Sequence, residues 1–188
     1  MSKYHDDNTY AVNPGNVSLA AGKLRAFQGE IGFFQRISLM RAYPADMLDE
    51  HLQMGDSRAA IVVRTDPHVY VAAYTGDIDC IALLRFPDFV KRFYELDPGT
   101  RLLTINTYSS GNRIAKDLRP GPGCGFRWNN FHPLIAEFLS NDLERIEQRK
   151  QAIDQKEWDR ALACANEYVK INSLRARNGS PYFSDREA

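Results

Sequence analysis

Three short β-rich runs in the middle of the chain constrain its fold more than any other feature. They cover residues 59–64, 69–74 and 78–86, and Val, Ile, Leu, Ala and Tyr dominate them. The turn sequences Asp66-Pro67 and Thr75-Gly76-Asp77 separate them. Apolar runs of this length, bounded by Gly, Pro and Asp, are typical of strands joined by tight connections. The sequence therefore predicts an antiparallel meander.

Other segments extend this meander into an α+β fold. Alternation over residues 101–108 predicts a further strand, and we also predict a strand over 31–43, where one parity is mostly apolar. Apolar spacing and terminal signals predict helices over 17–29, 44–52 and 87–96. The predicted fold class is α+β, with an antiparallel sheet of about four or five strands and flanking helices.

Two amphipathic segments predict a C-terminal antiparallel helix pair within residues 133–173. In the first segment, 133–151, apolar residues recur with helical spacing and charged residues occupy the other side. The second has a single apolar stripe, and Asp154 and Glu157 before it have the spacing of a capping box. A short turn between the segments predicts that the two helices pack antiparallel.

The length of 188 residues fits a single domain. The polar residues 1–16 predict a frayed N-terminus, and the α+β domain is expected over 17–173. Residues 174–188 are expected to form a tail, ordered only if something holds Tyr182 and Phe183.

Charge and hydropathy narrow the range of partners. Lys plus Arg and Asp plus Glu each number 24, so no net field draws the chain onto nucleic acid or an anionic membrane. Apolar stretches such as 80–84 are far shorter than the about 20 residues that span a bilayer. Residues 1–8 lack the apolar run of a signal peptide. We expect a cytoplasmic protein that binds neither membrane nor nucleic acid.

Residues 109–132 follow no regular pattern, and within them 119–125 hold two prolines and three glycines, which defeat both helix and strand. Four basic residues accompany a single acid, Asp117. The basic residues are Arg113, Lys116, Arg119 and Arg127. A glycine-rich backbone ahead of a helix that begins near Pro133, with guanidinium groups nearby, indicates a site for a phosphate- or nucleotide-like anion. No defined phosphate motif is present, and we prefer the alternative of a long surface connection.

Trp128 and Asn130 extend the same candidate ligand site. An aromatic face and an amide could contact a ring and its polar groups. In the alternative interpretation, Phe126 and Trp128 anchor the loop to the core, while Asn130 or His132 caps the following helix. We favour anchoring for the two aromatic residues.

Cysteine and histidine offer only limited catalytic chemistry. Cys124, between two glycines, and His132 are the two candidate reactive groups. Cys80 and Cys164 lie in apolar patterns and are predicted to be core residues. Three widely spaced cysteines provide neither a disulfide framework nor a zinc ribbon.

Two acids at the start of the third β-rich run allow an alternative metal-site interpretation. Asp77 and Asp79 with His68 could bind a metal, but turn chemistry explains the two acids better, so no metal site and no particular cofactor are predicted.

Two functions follow from these patterns. We favour a non-catalytic intracellular protein-binding domain, such as an adaptor, an inhibitor or an accessory subunit. In it, the sheet and C-terminal helices contact a protein partner or a second copy. The alternative is a small enzyme or ligand-binding domain that takes an anionic substrate at the loop 109–132.

Overall fold

The computed structural model describes residues 11–172 and 175–184. Three helices come first: α1 (Ala21–Gly29), α2 (Phe33–Ala42) and α3 (Ala45–Met54). The strands β1 (Asp56–Arg64), β2 (Val69–Thr75), β3 (Cys80–Phe86), β4 (Arg101–Ser109) and β5 (Asn130–Ile135) follow, with a 3₁₀ turn at Asp88–Arg92. The helices α4 (Ala136–Leu139), α5 (Leu143–Gln151) and α6 (Gln155–Asn172) precede the last strand, β6 (Arg177–Asn178).

The strands form one mixed sheet in the order β5-β4-β1-β2-β3-β6. The predicted α+β class is confirmed, and so is the meander, because β1, β2 and β3 pair antiparallel in succession. The predicted sheet of four or five antiparallel strands is incomplete: the described residues form six strands, and β6 pairs with β3 in parallel. A strand of two residues is too short to leave a periodic signal in the sequence.

The strand predicted over 31–43 is wrong, because this segment contains α2. Its apolar residues Phe34, Ile37 and Met40 recur every three positions, a spacing that suits one side of a helix as well as a pleated face. Gln, Arg, Leu and Met also favour the helical backbone. Leu39 is buried, whereas these three residues face solvent.

The single helix predicted over 133–151 is also wrong, because three elements divide the segment. Pro133 lies in β5 opposite Asn106, at the edge of the sheet where a missing amide is tolerated. The short α4 ends at Leu139, and Asp142 then caps α5 by accepting from Arg145 N at 3.1 Å.

The two C-terminal helices are α5 and α6, and both pack on the sheet. α5 contacts β1 and β4, whereas α6 contacts β1, β2 and β3. The predicted capping box is not formed: the Glu157 carboxylate accepts from the amide of Ala59 at 2.9 Å, and Asp154 accepts from Lys156 N. The Glu157 carboxylate therefore bonds to the backbone of β1 instead of to the start of its own helix.

The sheet is curled until its two edge strands approach each other across Arg177. This arginine lies in β6 and is only 1% exposed. Its guanidinium donates to Phe131 O of β5 at 2.9 Å and to Asn130 Oδ1 at 2.8 Å. It also forms a two-point ion pair with Asp117, at 2.7 and 3.0 Å. One buried side chain therefore joins the opposite edges of the sheet.

Both ends of the described chain make hydrogen bonds to other parts of the fold. Residues 175–184 were expected within a tail that is ordered only if something holds Tyr182 and Phe183. They include β6, and the buried Tyr182 accepts a hydrogen bond from Gln28 Nε2 at 2.9 Å. At the other end, Asn13 O accepts from Ser57 N at 3.0 Å. Residues 1–10 of the predicted frayed N-terminus lie outside the described residues.

Candidate functional site

The glycine-rich loop lies directly against the hairpin that joins β2 to β3. Four of its amides donate to this hairpin: Gly121 N to Ile78 O at 3.1 Å, Gly125 N to Asp77 O at 2.7 Å, Gly123 N to Asp79 Oδ2 at 3.0 Å and Trp128 N to Asp77 Oδ2 at 3.2 Å. In the less favoured interpretation of the loop, backbone amides of this kind would receive an external anion. In the structure they bind carboxylates and carbonyls of the chain itself.

Asp79 is the centre of this arrangement. Its carboxylate accepts two hydrogen bonds from Arg160 of α6, at 2.8 and 2.9 Å, and one from the Tyr74 hydroxyl at 2.9 Å. Burial alone would raise the pKa of Asp79, but the hydrogen bonds from Arg160, Gly123 and Tyr74 outweigh it and hold the pKa below its usual range. An ionised Asp79 therefore joins the hairpin, the loop and α6.

The helix N-terminus that was expected to complete the anion site is not present. Residues 130–135 form β5, so the loop leads into an edge strand rather than into a helix. Strands have no substantial macrodipole at their ends, so this element adds little attraction for an anion. The prediction of a helix beginning near Pro133 beside the loop is wrong.

A cavity of about 240 Å³ nevertheless lies beside the loop. Its lining includes two arginines and two acids, and the group consists of Arg119, Arg160, Asp79 and Glu167. Cys164 and Tyr168 of α6 also line it. Among the predicted ligand-binding residues, only Arg119 lines this cavity.

The other predicted ligand residues make separate contacts. Arg127 lies over the Trp128 ring at 4.9 Å, and Trp128 stacks on Tyr108 with ring centroids 5.9 Å apart. Phe126, which was also expected to anchor the loop, is 77% exposed.

Three other residues of the predicted ligand site lie elsewhere in the structure. The side chains of Arg113 and Lys116 are exposed, and the Arg113 carbonyl accepts from the Asn129 amide at 2.8 Å. Asn130 accepts from Arg177 at the junction of the two sheet edges. The predicted residues thus do not converge on one pocket.

The two candidate reactive groups have different surroundings. His132 is buried on β5, where its Nε2 lies 3.0 Å from Pro181 O and its ring packs against His51 with centroids 5.2 Å apart. Burial, followed by the charge of His132, lowers the pKa of His51 well below its usual value. Cys124 is half-buried in the loop, and its amide donates to Gly121 O.

The other two cysteines and the possible metal ligands also have defined surroundings. Cys80 and Cys164 are buried, and burial raises the pKa of each thiol. Asp77 and Asp79 are bound to the loop, whereas His68 lines a different cavity. Within residues 11–172 and 175–184, no cluster of three or more His, Cys, Asp or Glu could hold a metal ion.

A buried polar network that the sequence did not reveal lies where β1 separates from β2. Arg58 pairs with Asp56 at 2.6 Å and with Glu157 at 2.9 Å. The Tyr108 hydroxyl donates to Asp56 at 3.0 Å, and Thr75 donates to Tyr108 at 3.3 Å. The polar groups of this network satisfy one another's hydrogen bonds. The network therefore holds α6 on the sheet and does not provide a reactive group. No local motif connects residues so far apart in the chain.

Among the described helices, α2 carries the most exposed large apolar side chains, namely three. Phe34 is 85% exposed, Ile37 41% and Met40 45%. They lie three residues apart and therefore along one side of the helix, which we term the α2 face. Sequence reasoning missed this surface because it assigned the segment to a strand.

Comparison of the chain with family models, curated proteins and solved structures finds no match. None of the helices in the described ranges combines the length and the apolarity needed to cross a bilayer.

Proposed function

We propose that this protein is a non-catalytic intracellular protein-binding domain and that the α2 face is its contact surface. The observation that carries the proposal is the exposure of Phe34, Ile37 and Met40 along one side of a helix. Contiguous exposed apolar surface commonly marks a site of protein interaction. Anchors with this spacing suit a helix that lies in an apolar groove of its partner.

The C-terminal helices, which the sequence favoured as the contact surface, offer less. The stripe of α6 faces the sheet, and Trp158, Ala161 and Ala165 are buried there. Leu162 is 45% exposed, but it is the single exposed large apolar residue among the described side chains of α6. Isolated apolar residues on a surface are ordinary and need no partner.

The exposed side chains of α2 also indicate the chemical character of the partner's surface. A groove for Phe34, Ile37 and Met40 must be apolar, and Met40 can adapt to its irregular walls. Arg41 is exposed at the end of the helix, so an acidic rim on the partner would complement it. The proposed partner is a protein with a shallow apolar groove and an acidic edge.

Site-specific photo-crosslinking in cells tests the proposal. A photoreactive phenylalanine analogue at Phe34 should form a discrete protein adduct, whereas the same analogue at Leu162 should not. Ile37→Asp in the same chain should abolish the adduct at position 34, because a carboxylate in an apolar groove is costly. An adduct of twice the chain's mass would identify self-association.

Three results would refute this function for the α2 face: identical adducts from positions 34 and 162, no adduct from position 34, or an adduct that survives Ile37→Asp. Circular dichroism checks that the variants fold. Because Phe34 and Ile37 are not part of the core, the substitutions should leave the free energy of unfolding nearly unchanged, within about 0.5 kcal/mol.

A second candidate function is the binding of a small anion in the cavity beside the loop. It is favoured by one observation, the presence of Arg119 and Arg160 in the lining of a cavity of about 240 Å³. Inorganic phosphate should then raise the melting temperature of the native chain, and Arg119→Ala should remove this shift. Arg127→Ala is the matched control, because Arg127 packs on Trp128 and does not line the cavity. Equal shifts in both variants would exclude this candidate.

A further inference from the structure

A larger cavity, of about 590 Å³, lies among α1, the end of β3 and the C-terminal segment. Its volume falls within the roughly 300–1,000 Å³ of small-molecule sites in proteins. Four stretches of chain that are distant in sequence line it: the end of α1 with the start of α2, the residue before β2, the end of β3 and residues 176–183. The tertiary fold, rather than a single loop, builds this cavity.

The floor of the cavity is apolar and closely packed. Phe27 and Phe86 meet edge to face with ring centroids 6.3 Å apart. The backbone at Gly179 lies so close to Phe86 that a Cβ there would come within 2.6 Å of three ring atoms. Phe183 and Ile31 contribute partly buried side chains to the walls. A ring or alkyl chain would find a preformed apolar surface here.

The polar part of the lining is dominated by Arg85. Its side chain is exposed and makes no hydrogen bond or ion pair with any residue in the described ranges. Arg85 pairs in register with Asn178 of β6, which places a guanidinium and an amide side by side at the cavity. The Gly179 amide donates to Arg85 O at 2.8 Å and fixes this register.

Two other polar residues restrict the ligand. Glu30 is the one acid in the described lining, and its charge disfavours a ligand with several negative charges, such as a phosphate ester. Ser180 is 7% exposed, and its hydroxyl has no hydrogen-bond partner among the described residues. This hydroxyl oxygen has almost no accessible surface, so it adds no polar contact for a ligand in the cavity.

We propose that this cavity binds an amphipathic monocarboxylate, with its apolar body against Phe86 and Phe183 and its carboxylate at Arg85. The planar guanidinium can donate two parallel hydrogen bonds to a carboxylate, which a neutral polar group cannot match. The site is independent of the α2 face, so the two proposals can fail separately.

Titration of the full chain with 2-naphthoate and with 2-naphthalenemethanol tests the site, because the two probes share a ring and differ in the carboxylate. The native chain should bind 2-naphthoate at least about tenfold more tightly than the alcohol. Arg85→Gln should reduce the affinity for 2-naphthoate to that for the alcohol. Arg145→Gln removes an exposed arginine of α5 that lines neither this cavity nor the one beside the glycine-rich loop, and it should leave the affinity unchanged.

A cavity-filling substitution provides a second readout. Ala176→Leu should weaken both probes together, because it occupies the apolar space rather than the charged edge. The proposal is overturned if the native chain binds neither probe at millimolar concentration, if both probes bind equally, or if Arg85→Gln and Arg145→Gln behave alike.

Discussion

At the scale of the residue, one carboxylate organises the segment that the sequence marked as unusual. Asp79 adopts a φ of 51°, a value that Asp tolerates better than most residues. The residue lies where the loop, the hairpin and α6 meet. A buried ionised group requires several donors to offset lost hydration. Asp79 receives them from Arg160, Gly123 and Tyr74. The glycines of the loop permit this close approach.

Gly121→Ala tests the close approach. A Cβ at this position would overlap Oδ2 and the carbonyl oxygen of Asp79 and would crowd Arg160. We expect the free energy of unfolding to fall by about 1–3 kcal/mol, the usual cost of overpacking. Gly22→Ala is the control, because nothing lies within 4 Å of its Cβ and Ala favours the helix, so it should stabilise by about 0.5–1 kcal/mol. Urea denaturation measures both, and equal effects would refute the account.

At the scale of the element, helix boundaries depend on distant side chains. α4 ends after four residues, and Lys23 of α1 donates to Glu137 O at 2.7 Å and to Ser140 O at 2.6 Å. These carbonyls would otherwise be buried without partners at the end of a helix. Burial, offset in part by Glu137, lowers the pKa of Lys23. The break between α4 and α5 is therefore stabilised from another element.

Lys23→Met should destabilise the fold, because it leaves two carbonyl oxygens without a donor while keeping most of the side-chain volume. We expect the free energy of unfolding to fall by about 1–3 kcal/mol. Lys156→Met, at an exposed position of α6, should change it by less than about 0.5 kcal/mol. Thermal unfolding of both variants distinguishes them, and an unchanged stability of Lys23→Met would contradict the role of this lysine.

At the scale of the whole molecule, the curled sheet is closed by a buried ion pair. Arg177 on β6 bonds to β5 at the other edge and to Asp117 in the connection between β4 and β5. It also donates to Ser184 O at 3.0 Å, which secures the C-terminal segment. Five donors of one guanidinium can thus join segments that no strand pairing connects. The Arg177 guanidinium also lies over the Phe131 ring, 5.6 Å from its centroid.

Arg177→Leu should be the most destabilising of these substitutions. It leaves the largely buried Asp117 without its partner, and breaking such a pair costs about 3–5 kcal/mol. Arg175→Leu, two residues earlier and exposed, should have little effect. Combining Arg177→Leu with Asp117→Asn should recover part of the loss, whereas strictly additive losses in guanidinium denaturation would rule out the pair as the cause.

The paired histidines predict how stability depends on pH. Because the folded state lowers the pKa of His51 below 6.5, the unfolded state binds a proton more readily. Stability from His51 is complete above pH 6.5 and falls below it, by at most about 1.4 kcal/mol per pH unit.

Glu137 acts in the opposite sense, since burial raises its pKa to about 7 and the folded state retains that proton. His51→Gln isolates the contribution of His51: the difference in unfolding free energy between native and variant chains should shrink from pH 7.5 to pH 5.5. A constant difference over this range would refute it.

Local pattern alone determined the central part of this fold. The meander and α6 were predicted correctly because apolar periodicity and turn residues are local signals. They involve a few neighbouring positions and can be read directly from the sequence. The same reasoning failed over 31–43 and 133–151, where apolar spacing fits more than one element. There, contacts with other parts of the chain decide which backbone forms.

Only the tertiary structure decided what the polar groups bind. Asp79 lies 44 residues from Gly123 and 81 from Arg160, and Arg177 lies 60 from Asp117. A sequence identifies these charges but not their partners, because electrostatic pairing depends on distance in space and on burial. The sequence thus located the unusual loop, whereas the fold determined that an internal carboxylate occupies its amides, that α2 exposes its apolar face and that Arg85 borders a cavity of about 590 Å³.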